Sequence, residues 1–366
     1  MRSKESLKQE GNMKKKWIVL VVAVVFGLVA VHASTTFAGE LKKIPLVYSD
    51  HIPPMAGGNI FLKKQYFPRI KEQCAAKGYE LDITFYHAGS LYNSLQQVQA
   101  CQQGLVDMTV AVLPYELSRF PLHELLDFAF MGWTDGLMEL KVWQGLTDNV
   151  PEFKKEMSDG FFEFVRFIPT RKYLHTNLGP KVRSVADFKG KKIHSVGVNA
   201  DLMKMIGAVP IKQDNADWYT SLDRGLLDGI LVSIDMTFIM KLYEVLNTHI
   251  LPYDDTLGHT PVTHLFSRKK FEKLPPEVQQ VFKDNFQWAS EAITSYEEEH
   301  NLPIYLKPPK EKGNTFITLT PEETAEFRNA DRKVHQMWIE EKKKEGLPGQ
   351  RLYDEANRLV KKFRNM

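Results

Sequence analysis

Between positions 171 and 235 the chain gathers side chains suited to holding a small anion without reacting with it. Arg171 and Lys172 are adjacent cations, either of which could pair with a carboxylate. Asn177, His194 and Asn215 add hydrogen-bonding groups, and Trp218 adds a flat apolar face able to stack on a ring. Asp235 could bind a ligand donor or pair with a lysine, the second being favoured slightly. Earlier in the chain, His51, Val112 and Tyr115 lie at or just after the ends of predicted strands. His51 could equally cap the helix that follows it. The chain has no G-x-S-x-G elbow, no H-E-x-x-H pair and no G-x-G-x-x-G loop, so nucleophilic, zinc-hydrolytic and dinucleotide chemistry lack their usual signatures. The pattern points to capture rather than catalysis.

Those residues need elements to position them. Ile44–Tyr48 reads as a strand with a Pro-rich exit, followed by a helix from Gly57 to about Lys77. Leu81–Tyr86 alternates as a strand, Tyr92–Gln103 as a helix closed by Gly104, and Val106–Leu113 as a third strand. This β-α-β-α-β order predicts a mostly parallel sheet with right-handed crossovers. A second α/β unit follows the interlobe strand Phe162–Pro169. It comprises strand Lys191–Val196, a helix from Asp217 to Arg224 closed by Gly225, and an apolar run after Asp228-Gly229. Pro261–Ser267 reads as a strand returning to the first unit. A helix from Leu274 to about His300 is long enough to brace both, and helices toward Lys344 and over Arg351–Phe363 end the chain.

The 366 residues, 43% hydrophobic and 25% charged, allow two lobes. The net charge of +3 comes from the start: six basic and two acidic residues lie within 1–38, leaving 42 basic against 43 acidic beyond it. That balance argues against a nucleic-acid surface. Lys14 to Lys16 precede 15 apolar residues, Trp17 to Val31, and small residues follow to Ala38. This is the layout of a cleavable export signal over 1–38, too short for a spanning helix of about 20 apolar residues. Cys74 and Cys101, the two cysteines, fall in consecutive crossover helices, which cover opposite faces of a sheet whose strand order reverses. They are expected to remain separate thiols.

The order of these pieces resembles the DctP-type solute-binding proteins of TRAP transporters. The carriers in the first lobe are His51-Ile52-Pro53-Pro54, Gly89-Ser90-Leu91, Gln103-Gly104 with Asp107, and Phe120-Pro121-Leu122. In the second lobe they are a basic residue before Thr176-Asn177, then Asp187 to His194, then Tyr219, Leu222, Gly225 and Asp228-Gly229 at the family spacing. The resemblance covers about 45 to 300. It implies an α/β fold of two lobes joined by a hinge, each a mostly parallel sheet flanked by helices, with a long helix bracing both. Lobe one would be 39–165 plus 256–290, and lobe two 166–255 plus 291–366 with the C-terminal helices.

The resemblance also implies function: an extracytoplasmic, periplasmic subunit that closes on an organic acid and delivers it to membrane permease subunits. A monomer without cofactor, metal or nucleic acid is expected. A sensory protein serving a membrane receptor would share the same cleft and is the alternative; an exported enzyme is the remote one. Ligand contacts are expected from His194, Arg171, Lys172, Tyr115, Val112, Asn177, Trp218, His51, Asn215 and Asp235. Where the family strand ends in an arginine that grips a carboxylate, this chain has His194, whose unperturbed titration lies near pH 6.5. Either His194 still faces the anion, helped by Arg171 or Lys172, or the carboxylate sits elsewhere. The apolar Val112-Leu113-Pro114-Tyr115 and Ile230-Leu231-Val232 favour a ligand with an aromatic or partly apolar body. Asp228 and Gly229 are expected to be structural, the aspartate capping backbone amides and the glycine making a turn.

Overall fold

The computed structural model describes residues 40–364; the expected export signal lies outside them. Two mixed sheets form the two lobes. The first has the order β2-β1-β3-β10-β4 and the second β11-β9-β5-β8-β6-β7. Strand β1 (Lys42–Ser49) pairs in parallel with β2 (Tyr79–Tyr86) on one side and β3 (Met108–Val112) on the other. The strand order therefore reverses at β1, and the two crossovers cover opposite faces. The first crossover, helix α1, runs Gly57–Phe61, a π-helical turn Leu62–Tyr66, then Phe67–Ala75. The second, α2 (Gln97–Gln103), starts five residues later than expected. Residues before it turn irregularly, with Ala88 and Gly89 both at positive φ. Cys74 and Cys101 accordingly lie in different core clusters as free, buried thiols.

In each sheet, antiparallel strands accompany the parallel ones, because the chain crosses between lobes as two antiparallel ribbons. β4 (Phe161–Phe167) in the first sheet continues within a few residues as β5 (Lys172–Thr176) in the second. The return runs from β9 (Thr248–Leu251) to β10 (Val262–Ser267), antiparallel to β5 and β4 respectively. The remaining second-sheet strands are β6 (Lys192–His194), β7 (Val209–Ile211), β8 (Gly229–Ser233) and β11 (Thr315–Thr318). A third crossing is helical: α3 (Pro276–Tyr296) packs on β4, a π-helical turn follows at Glu297–Asn301, and α4 (Leu302–Glu311) packs on the helix Ile234–Ile239 of lobe two. The bracing helix thus continues past the expected His300, carried through Pro303, Pro308 and Pro309.

Helix α5 (Pro321–Lys344) opens with a capping box between Thr320 and Glu323. Helix α6 (Gly349–Arg364) buries Leu352, Ala356, Leu359 and Val360 and packs on Gly136–Asn149, a helix of lobe one, as well as on α5. One of the three apolar core clusters consequently runs through both lobes instead of ending at the hinge. Among the described residues no helix is long and apolar enough to cross a membrane.

Candidate functional site

The strand ends converge on one cavity between the lobes. Its free space, open solvent at the mouth included, is about 1050 Å³. Parallel strands β3, β6 and β8 present their carboxyl ends to it, so Val112, His194 and Ser233 stand on its wall. The turns that leave those ends bring in Tyr115 and Asp235. Eight of the ten sequence candidates line it: His51, Val112, Tyr115, Lys172, His194, Asn215, Trp218 and Asp235.

Arg171 and Asn177 do not. Strand β5 is antiparallel to β8, with Lys172 opposite Ser233 and Thr176 opposite Gly229. Its amino end, not its carboxyl end, therefore faces the cavity, and Asn177 is exposed at the far end, its N–H donating to the Asp228 carbonyl at 3.2 Å. Of the basic pair, Lys172 is buried against the cavity, while the half-buried Arg171 lies outside it.

Among the described residues Lys172 is the one lysine or arginine on the cavity wall, and it is already engaged. Its Nζ donates to Asp127, which also accepts from the Asn199 side-chain amide. Asn199 Nδ2 reaches the Asp127 carbonyl as well, at 3.2 Å, and leaves its own Oδ1 without a partner. Burial pushes the Asp127 carboxyl up to about 6, against the opposing pull of Lys172. The three side chains come from different segments: the turn His123–Asp127, β5, and the helix Gly197–Met205.

His194 is 1% exposed, with its ring 4.8 Å from that of Trp218 and Nε2 3.4 Å from Tyr115 Oη. Burial pushes its imidazole down to about 4, with a smaller push from the exposed Lys212. The ring is neutral at pH 7, which corrects the expectation of a titration near 6.5. His51 does not cap the next helix: Ala56 is the N-cap, and His51 Nδ1 meets Gln97 Nε2 at 2.6 Å. Asp235 pairs with no lysine; its Oδ1 accepts from Thr170 Oγ1 at 2.7 Å.

Among the wall residues that escaped the sequence reading are Asp127, Asn199, Glu297 and His264. Glu297 is one of three consecutive glutamates, and only the π-helical turn that starts there decides which of them points inward. His264 lies inside β10, all of whose residues are buried, so its position along the strand does not single it out. Asp228 caps as expected, accepting from Lys192 N–H at 2.8 Å. Gly229 makes no turn: it opens β8, and a Cβ there would stand 2.5 Å from the His175 carbonyl oxygen.

The family model for bacterial extracellular solute-binding proteins, family 7 (DctP), matches residues 70–342. The chain is 24% identical over 241 residues to the 2,3-diketo-L-gulonate-binding periplasmic protein YiaO of Escherichia coli, covering 65% of this chain and 71% of that one. It is 23% identical over 267 residues to the C4-dicarboxylate-binding protein DctB of Bacillus subtilis, covering 67% and 72%. A TRAP solute-binding protein from a marine metagenome, specific for aromatic acids and crystallised with 3-hydroxybenzoate, superposes with TM-score 0.79. Its identity is 24%, covering 88% of this chain and 99% of that one. A TRAP solute-binding protein of Rhodoferax ferrireducens with copurified benzoate gives TM-score 0.76 at 17% identity, covering 87% and 98%. At these identities the likeness of the solved structures is a likeness of fold.

Proposed function

The chain belongs to family 7 of the bacterial extracellular solute-binding proteins, and from that premise we propose that it is the solute-binding subunit of a TRAP-type transporter. It captures one organic acid with an aromatic or partly apolar body between its lobes and delivers it to membrane permease subunits. The family is one of carriers, not enzymes. The observation that carries the ligand class is the cavity wall itself. Val112, Trp218, Val232 and Val262 make it largely apolar, with Lys172 as its buried cation. An apolar wall with few convergent polar groups selects a compact apolar body, and the Lys172 ammonium attracts an anion to the extent that protonation of Asp127 frees it. His194, neutral, serves as a hydrogen-bonding wall beside Trp218 rather than as a second cation. Solved family structures holding 3-hydroxybenzoate, benzoate and mandelate support the same class.

Residues 1–38 serve as the export signal, and the mature protein acts in the periplasm as a monomer. The lobes are taken as 39–165 plus 256–290 and 166–255 plus 291–366, with the hinge near the passages from β4 to β5 and from β9 to β10. Thermal denaturation with a panel of aromatic monocarboxylates, aliphatic dicarboxylates and sugar acids tests the ligand class. A ligand at 100 times its Kd adds about 2.7 kcal/mol of stability, a rise of several degrees in Tm. The aromatic acids should give that rise. No rise with any acid removes the proposal.

A further inference from the structure

We propose that the cavity recognises a second polar feature of its ligand: a hydroxyl or amine carried in addition to the carboxylate, whose hydrogen is accepted by Asp235 and Glu297. This inference rests on the organic-acid reading above and names a subclass within it.

Asp235 and Glu297 line the same cavity, 8% and 2% exposed. Glu297 is held from its own helix: Oε1 accepts from Asn301 Nδ2 at 3.0 Å and Oε2 from Tyr305 Oη at 2.8 Å. Asp235 Oδ1 accepts from Thr170 Oγ1. Each carboxylate oxygen has two lone pairs, so Glu297 keeps acceptor capacity after these bonds, while Asp235 keeps less because Ser233 and the backbone N–H groups of Asp235 and Met236 also hold it. Space is kept for Glu297 by Gly57, where a Cβ would stand 1.7 Å from Oε1. Among the described residues no lysine, arginine or histidine pairs with these carboxyls. Lys172 is committed to Asp127, and no cluster among the described residues could hold a metal ion.

Burial, then the charge of Asp235, holds Glu297 up at about 8, and burial raises Asp235 too. Both carboxyls therefore hold a proton more readily than a free one, and the one cation on the described wall, Lys172, is spent on Asp127. A second, independent observation points the same way. His264, 3% exposed and on the lobe-one wall, uses Nδ1 on Tyr48 Oη at 3.0 Å and leaves Nε2 without a partner. Buried polar atoms ordinarily find partners. A hydroxyl can give its hydrogen to a carboxylate and accept from an imidazole N–H, and an amine can satisfy the carboxylates. A second carboxylate on the ligand would meet repulsion instead.

Calorimetric titration at pH 7.5 with benzoate, 3-hydroxybenzoate, 3-aminobenzoate and 3-methoxybenzoate is the test. Leaving a buried acceptor unanswered weakens binding by roughly tenfold, so the hydroxy or amino acid should bind about that much more tightly than benzoate and the methoxy compound. Hydroxyl preference and amine preference both support the inference and tell the two donors apart. In Asp235→Ala and Glu297→Met the ratio should fall to within about threefold. Circular dichroism checks folding, and Glu297→Met combined with Tyr305→Phe, which leaves no phenol without an acceptor, replaces the methionine variant if that one fails to fold. Equal binding of all four acids overturns the inference while leaving the organic-acid reading intact. A preference that survives in both folded variants also overturns it. If none of the four binds, the aromatic part of the organic-acid reading fails and this inference with it.

Discussion

Tyr115 Oη and His194 Nε2 stand 3.4 Å apart, one carried by the turn after β3 in lobe one and the other ending β6 in lobe two. They meet across the cleft. A second interlobe contact, Ser94 Oγ to Asp214 Oδ2 at 2.6 Å, lies between the same two bodies. Contacts of this kind, made only when the lobes approach, bias a hinge toward its closed arrangement.

Because the Tyr115 bond is long and neutral, its loss should be small. Tyr115→Phe is expected to remove about 0.5–1 kcal/mol of closure energy and weaken acid binding by roughly two- to fivefold, with Tm nearly unchanged. Calorimetry beside a melting curve separates the two effects. A tenfold or larger loss would mean that the phenol holds the ligand directly.

Binding should follow Asp127, not His194, as pH changes. Protonation of Asp127 near pH 6 releases Lys172 for the ligand, so affinity for a monocarboxylate should rise as pH falls from 7.5 to 5.5. No imidazole step is expected in that window, since His194 titrates near 4. The sign for stability is separate. A carboxyl held above its ordinary 3.8 favours the fold in its protonated form, a contribution full below about pH 4 and lost as pH passes about 6. Affinity profiles of wild type and Asp127→Asn decide: the variant should lose the pH dependence.

Lys172→Met should abolish tight binding of acids. It also leaves the Asp127 carboxylate buried and unpaired, which costs about 3–5 kcal/mol unless the group takes a proton. Its melting temperature should therefore recover as pH is lowered through 6, while binding does not. Denaturation at pH 5 and 7.5 measures the first and calorimetry the second.

Gly229→Ala should destabilise the protein although the new methyl is small. A Cβ 2.5 Å from a backbone carbonyl cannot be relieved by moving a side chain, so β5 and β8 must separate where they pair. A loss of about 2–3 kcal/mol is expected, read from the denaturant midpoint at unchanged slope.

The thiols should be inert in the native state. Burial raises Cys74 to about 11 and Cys101 further still, and they lie in separate clusters. A thiol reagent should titrate neither before unfolding, and reductant should leave Tm unchanged.

Local chemistry carried most of the architecture into the sequence. Alternation marked β2, and the Pro and capping signals marked α3 and α5. The short strands Val209–Ile211 and Thr315–Thr318 were not legible, since three or four residues hold too little alternation to stand out from a loop. Strand-end position found Val112, Tyr115, His194 and Asp235. The same rule misled at Asn177, because it assumes a parallel strand and β5 is antiparallel.

By itself the sequence determined the family, the two α/β units and which kinds of side chain could meet a ligand, because these depend on periodicity, turn residues and spacing along one chain. Tertiary structure alone decided the electrostatics. That Lys172 rather than Arg171 faces the cavity, that Asp127 neutralises it, and that Glu297 joins Asp235 on the wall all depend on segments more than 40 residues apart meeting in space. A buried charge takes its value from its neighbours, and neighbours of that kind are set by packing, not by order in the chain.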